Sequence, residues 1–195
     1  MKKLLFSLSL LVGSVGAVQA QSDVSLGLKV GGTLSSYAGK QATNDKSLLG
    51  FHGGGFANIG LTDLFAFQPE IIYSQKGAKS SSADLTSRVS YLDVPLAFHV
   101  NADGLFFEAG PQVGFLLAAK DKTGNVSVDT KTSYNTVDFG YLFGLGYQQK
   151  SGLGIGLRYN GAFTNIPKAV TTGSVTVQNN IRNSAFQLYL TYSFY

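Results

Sequence analysis

Eight stretches of this chain alternate apolar and polar residues with a period of two, and no other feature limits its fold as strongly. The last of them reads "NSAFQLYLTYSFY": Phe186, Leu188, Leu190, Tyr192 and Phe194 share one face, while Ala185, Gln187, Tyr189, Thr191 and Ser193 share the other. That is the side-chain period of an extended strand. The same reading predicts strands over 24–34, 51–61, 65–77, 88–100, 105–119, 136–148, 153–163 and 183–195. The second, "FHGGGFANIGL", alternates least well. With 24 Gly, 14 Phe and 10 Tyr, the composition is far from that of helical proteins. The chain reads as all-β.

The connections differ in length in a regular way. Long or medium segments such as "SSYAGKQATNDKSLLG", "AKSSSADLTS", "KDKTGNVSVDTKTSYN" and "TNIPKAVTTGSVTVQNNIR" take turns with the short "TDL", "NADG" and "QKSG". Thr-Asp, Asp-Gly and Ser-Gly are tight-turn pairs. Long loops on one rim, short turns on the other and an even strand number fit an eight-stranded antiparallel up-and-down transmembrane β-barrel, with extracellular loops and periplasmic turns.

The N-terminus agrees with export. "MKK", the apolar "LLFSLSLLVGSVGAV" and the small residues of "VQA" have the layout of a signal peptide over residues 1–20, which predicts cleavage after Ala20 and a barrel domain over 21–195. The formal charge of +4 counts Lys2 and Lys3, so the mature chain carries only +2, which gives no support for nucleic-acid binding. Cysteine is absent, excluding a disulfide framework, a thiolate metal site and a lipoprotein anchor. No cofactor is expected. The localisation expected is the outer membrane of a Gram-negative envelope.

Alternation alone does not say which face looks inward. A lipocalin-like barrel turns its apolar face in; a membrane barrel does the reverse. The polar faces decide, because they are rich in glycine: Gly27 and Gly31, Gly110 and Gly114, Gly140, Gly144 and Gly146, Gly154 and Gly156. Glycine weakens a strand and has no use on a face bathed in water, whereas a narrow lumen needs small residues beside a few long ones. The polar faces also carry four acids, Glu70, Asp93, Glu108 and Asp138, and four bases, Lys29, Lys76, Arg88 and Arg158. These eight form the expected lumen charge network. It is either a path for protons or ions or a salt-bridged core that holds the barrel closed; filling of an eight-stranded interior by side chains favours the second.

Several stretches resemble a known family: "FQPEIIYSQKGA", "YLDVPLAFHV", "FFEAGPQVGFLLAAK", "DFGYLFGLGYQQ", "GIGLRYNGAFTNI" and the aromatic C-terminus. Together they look like the outer membrane protein β-barrel domain of Bacteroidetes-type bacteria, often labelled "porin family". The resemblance implies an eight-stranded outer-membrane barrel and supplies no catalytic motif. The aromatic terminus also resembles an assembly signal read by the barrel assembly machinery, with Phe186, Leu188, Leu190, Tyr192 and Phe194 in step and Tyr195 one residue out of register.

Other motifs carry less. "HGGG" at residues 52–55 resembles a lipase oxyanion-hole segment, but no G-x-S-x-G supplies a nucleophile. His52 is expected near the long-loop rim and His99 near the short-turn rim, too far apart to share a metal ion. "GLGIG" lacks the spacing of a dinucleotide fingerprint, and Asn125-Val-Ser127 is a chance glycosylation pattern in a bacterial context. The function expected is non-enzymatic: a surface or structural barrel that contacts outer-membrane lipids and presents its long loops to an envelope protein partner. The alternatives are a small outer-membrane enzyme acting on lipid or peptide, with His52 and Ser35, Ser36 or Ser47 as its only candidate pair, and a narrow ion-conducting pore.

Overall fold

A strand that buries one face against protein and offers the other to hydrocarbon needs partners on both edges, because lipid cannot satisfy free backbone groups. The computed structural model meets this requirement by closure. It describes residues 24–40, 42, 45–80, 84–172 and 175–194. Its strands are β1 (Val24–Ala38), β2 (Asp45–Gly60), β3 (Phe65–Ser80), β4 (Leu85–Ala102), β5 (Leu105–Thr123), β6 (Val126–Asp129), β7 (Val137–Gln148), β8 (Leu153–Ala162), β9 (Val170–Thr172), β10 (Val175–Val177) and β11 (Arg182–Phe194).

Eight of these make the barrel, in the order β4-β3-β2-β1-β11-β8-β7-β5, and β5 pairs back onto β4. Every pairing is antiparallel. The last strand closes against the first, with Leu26 opposite Phe194 and Ala38 opposite Arg182. The predicted residues 1–20 and 21–23, and Tyr195 at the other end, lie outside the described residues.

The strands run further toward the loop rim than alternation predicts. β2 begins at Asp45 rather than at residue 51, and β4 at Leu85 rather than 88. Much of "SSYAGKQATNDKSLLG" is therefore paired strand, where Ser35 lies opposite Leu48 and Leu34 opposite Leu49. A span of hydrocarbon needs about 9–11 tilted strand residues, so β1 to β5, of 15 to 19 residues each, extend beyond it. Two loops carry strands of their own: β6 folds back on the end of β5, and β9 pairs with β10.

The outer wall is apolar. On β11, Phe186, Leu188, Leu190, Tyr192 and Phe194 are all about half exposed, and so are Ile155 and Leu157 on β8 and Phe143 and Leu145 on β7. Inside, alternate residues of the same strands are buried and mostly polar. The inward glycines make room for rings. A β-carbon on Gly156 would stand 2.4 Å from the Tyr189 ring, and one on Gly144 would stand 2.7 Å from a Glu108 carboxylate oxygen.

Candidate functional site

Arg158 is the centre of the interior. On β8 its neighbours Leu157 and Tyr159 face outward, so strict alternation sends the guanidinium into the lumen, where it is 2 % exposed. There it forks between two walls. Nε donates to Glu108 Oε1 at 2.8 Å and Nη2 to Glu108 Oε2 at 2.5 Å; Nη1 donates to Glu70 Oε2 at 2.9 Å and Nη2 to Glu70 Oε1 at 2.8 Å. Both carboxylates are thus held by two parallel N–H···O bonds, the strongest geometry available to this pair of residue types. Lys29 on β1 completes the group: its Nζ lies 2.6 Å from Glu70 Oε1 and 4.2 Å above the centre of the Tyr189 ring. Tyr189 in turn donates its hydroxyl to Glu108 Oε1 at 2.8 Å, and Gln68 donates Nε2 to Glu70 Oε1 at 2.9 Å. Two acids and two bases from four strands make a compensated buried core.

A second layer lies nearer the loops. Lys76 pairs with Asp93 at 2.8 Å, and Ser74 donates to the same Asp93 oxygen at 2.6 Å. Asp138 accepts from Asn183 Nδ2 at 2.7 Å and from the Thr164 hydroxyl. Among the described residues no cation stands within ion-pair distance of Asp138; amide and hydroxyl donors hold it instead.

Above that layer the lumen becomes apolar. Val89, Tyr91, Leu116 and Ala119 form a buried cluster, and Tyr134 from the β6–β7 connection packs onto it. Burial there pushes the Tyr134 phenol above its ordinary range, so it stays a neutral hydroxyl. Ser87 Oγ lies 2.8 Å from the Tyr37 hydroxyl and 3.3 Å from that of Tyr134. The two largest loops are fastened to each other over this cluster. Asn135 N donates to the Ile166 carbonyl at 2.8 Å, Lys168 N to the Ser133 carbonyl at 3.0 Å, and Lys168 Nζ to the Thr132 carbonyl at 2.9 Å. At the opposite, short-turn end a cavity of about 750 Å³ opens, lined by Asn58, Gln68, His99, Asn101, Gln148 and Thr191 among others.

Of the eight residues expected in the lumen network, Lys29, Glu70, Lys76, Asp93, Glu108, Asp138 and Arg158 are buried inside the barrel. Arg88 is a correction: it is exposed on the outer side of β4. It shares even parity with Leu92, Leu96 and Phe98, whereas Asp93 shares odd parity with Tyr91 and Ala97, so the two cannot face the same way. Within the lumen this leaves four acids and three bases, with Asp138 the acid held by neutral donors.

His52 is a second correction. It lies inside the barrel, fully buried, with Nδ1 2.9 Å from Thr33 Oγ1 and its ring edge-on to Tyr189, because β2 begins earlier than expected and His52 falls in mid-strand. His99 is near the turn end, stacked on Phe106, with Nε2 3.4 Å from Glu108 Oε2. Neither was assigned to the lumen from sequence, although His99 follows Asp93 and Ala97 at even spacing, the signal that identifies it. Ser35 is buried and donates to the Gly77 and Leu48 carbonyls rather than pairing with His52. Among the described residues no group of three or more His, Asp or Glu side chains is placed to hold a metal ion. Phe186, Leu188, Leu190, Tyr192 and Phe194 all lie on the outer wall of β11.

The comparisons with known proteins agree with this architecture. The family model described as "Outer membrane protein beta-barrel domain" matches residues 19–168. Among solved structures, Neisserial surface protein A superposes with a TM-score of 0.57 at 14% identity, covering 88% of this chain and 99% of that one. Ail, the attachment invasion locus protein of Yersinia pestis, superposes with a TM-score of 0.51 at 14% identity, covering 87% and 98%. At that identity the likeness establishes the fold alone. No curated protein matches the sequence. A closed barrel of eight antiparallel strands, apolar outside and polar within, and matched over most of its length by the family model, this chain belongs to the outer membrane protein β-barrel domain family.

Proposed function

We propose that the protein is a non-enzymatic outer-membrane barrel whose side-chain-filled interior holds a rigid loop surface toward the outside of the cell, for contact with an envelope or extracellular partner. The observation that carries this reading is the fastening of the 130–136 and 163–168 segments to each other through backbone bonds, with Tyr134 seated on the apolar cluster beneath. A surface whose backbone is already fixed loses little entropy on binding. The interior supports the same reading. Arg158 spans the barrel between Glu70 and Glu108, and a buried apolar cluster sits above it. An enzyme would need a base within reach of a nucleophile at an accessible rim, and His52 with Thr33 is a buried pair.

Export by a signal peptide cleaved after Ala20, and recognition of Phe186 to Phe194 by the barrel assembly machinery, belong to this proposal. Deleting residues 193–195 is expected to leave periplasmic, protease-sensitive chain. Normal insertion of that truncated form would remove the terminus from the account. The loop-surface reading is tested by photocrosslinking in cells from Lys131 and Val128, alongside planar-bilayer recording. Expected are one reproducible partner from the loop positions and no discrete conductance steps. Steady, ion-selective steps from the wild-type protein would overturn the reading in favour of a pore.

A further inference from the structure

The outer wall carries a feature that the charged core does not explain. β1 and β11 remain paired as far as Ala38 and Arg182, but β8 stops at Ala162, and its pairing with β11 begins only at Gly161 and Ser184. The step in the wall opens a groove of about 530 Å³ whose lining includes Ala38, Lys40, Tyr141, Tyr159, Gly161 and Arg182.

Its lining holds two cations, Lys40 and Arg182, on segments that touch each other. Gly39 has φ +126°, and a β-carbon there would stand 2.1 Å from the Asn180 carbonyl oxygen, so the chain before Lys40 lies directly against residue 180. Only glycine accepts both that conformation and that approach. Arg182, which also lines the groove, donates Nε to Asn180 Oδ1 at 3.1 Å. Lys40 and Arg182 therefore both border the groove, next to Gly39 and Asn180.

The neighbouring wall is aromatic. Tyr141 covers Gly161 and lies 6.2 Å from Tyr159, centroid to centroid; Tyr159 continues to Phe143 at 5.2 Å and to Phe186 at 5.0 Å. Phe143 and Phe186 face outward toward the hydrocarbon. Two positive charges at the loop rim, directly above a continuous apolar ramp, complement a molecule with an anionic head and long apolar chains. A free anion has no use for the ramp, and a neutral lipid has none for the charges.

We propose that this groove binds a phosphorylated lipid of the outer leaflet, with the phosphoryl group between Lys40 and Arg182 and the acyl chains on Tyr159, Phe143 and Phe186. Arginine suits a phosphate through its planar fork and lysine through its compact charge.

The test uses the full-length mature protein in phosphatidylcholine nanodiscs that contain a minor fraction of lipid A, with retained lipid counted by native mass spectrometry. Wild type is expected to retain lipid A. Lys40→Gln combined with Arg182→Gln is expected to retain it about tenfold more weakly, or about 1.4 kcal/mol, while Lys122→Gln behaves as wild type. Charge reversal, Lys40→Glu with Arg182→Glu, should weaken retention further. Unchanged heat modifiability of each variant on a denaturing gel verifies that the barrel is intact. Dephosphorylated lipid A should bind wild type only at the level of the double variant. Equal retention by wild type and both double variants, or equal retention of the dephosphorylated lipid, would overturn the proposal. Displacement of bound lipid A by inorganic phosphate would do so too, because it would make the groove a plain anion site.

Discussion

Leu157 and Arg158 are adjacent on β8, yet one is 47 % exposed and the other 2 %. In a water-soluble protein the exposures would be reversed. The pair shows the two walls of this barrel obeying opposite rules. The outer wall is stabilised only where hydrocarbon replaces water, and the inner wall only where each charge meets an opposite charge or a donor. A substitution has therefore to be judged by the wall on which it falls rather than by its exposure.

The largest effect is expected on the inner wall. Arg158→Ala removes the partner of two buried carboxylates, leaving Lys29 to compensate Glu70 and only Tyr189 and His99 beside Glu108. A cost of about 3–5 kcal/mol is expected, seen as a marked fall in the urea unfolding midpoint in detergent or lipid. Next comes the outer wall, where Leu157→Arg introduces what the inner wall requires. A cost of about 2–4 kcal/mol is expected near the bilayer midplane, appearing in lipid vesicles as poorer insertion. If the two changes had their effects interchanged, the assignment of the walls would be inverted.

A smaller effect is expected from Tyr134→Ala, which uncovers the apolar cluster at the loop end without touching an ion pair. The barrel should keep its heat modifiability while the loops become sensitive to protease; unchanged protease resistance would mean that Tyr134 does not fasten them. The smallest effect belongs to Arg88→Ala. Exposed on the outer side of β4, it should change stability by less than about 0.5 kcal/mol. A loss comparable with that of Arg158→Ala would return Arg88 to the lumen network.

The two arginines also mark how far the sequence could be read. Alternation over 153–160 is unbroken, so Arg158 between Leu157 and Tyr159 has one possible direction, and so have Glu70 between two outward neighbours on β3 and Glu108 between Phe107 and Ala109 on β5. Arg88 was misplaced because it was grouped with Asp93 by polarity when parity separates them. His52 was misplaced for a different reason. "HGGG" has no side chains to alternate, so the beginning of β2 depends on its pairing with β1, where His52 lies opposite Gly31, and that contact is distant in sequence. Beyond Ser90 and Tyr91 the β4–β5 register shifts, which turns Leu116 and Ala119 to the same side despite their odd spacing; a bulge of this kind leaves no mark in the alternation itself. The backbone bonds between the 130–136 and 163–168 segments are likewise invisible in the sequence, because they need no particular side-chain type.

The central claim is that the interior of the barrel is desolvated and closed by ion pairing, and a double-mutant cycle on Arg158→Met and Glu108→Gln tests it most directly, with unfolding free energies measured in one lipid system. Two N–H···O bonds join the pair, at 2.8 and 2.5 Å, and both side chains are buried. The account predicts a coupling energy of about 2 kcal/mol or more, as for close charge pairs removed from water. A coupling below about 0.5 kcal/mol, the value of an exposed pair, would show that water reaches Arg158 and that the lumen is an open, solvated channel.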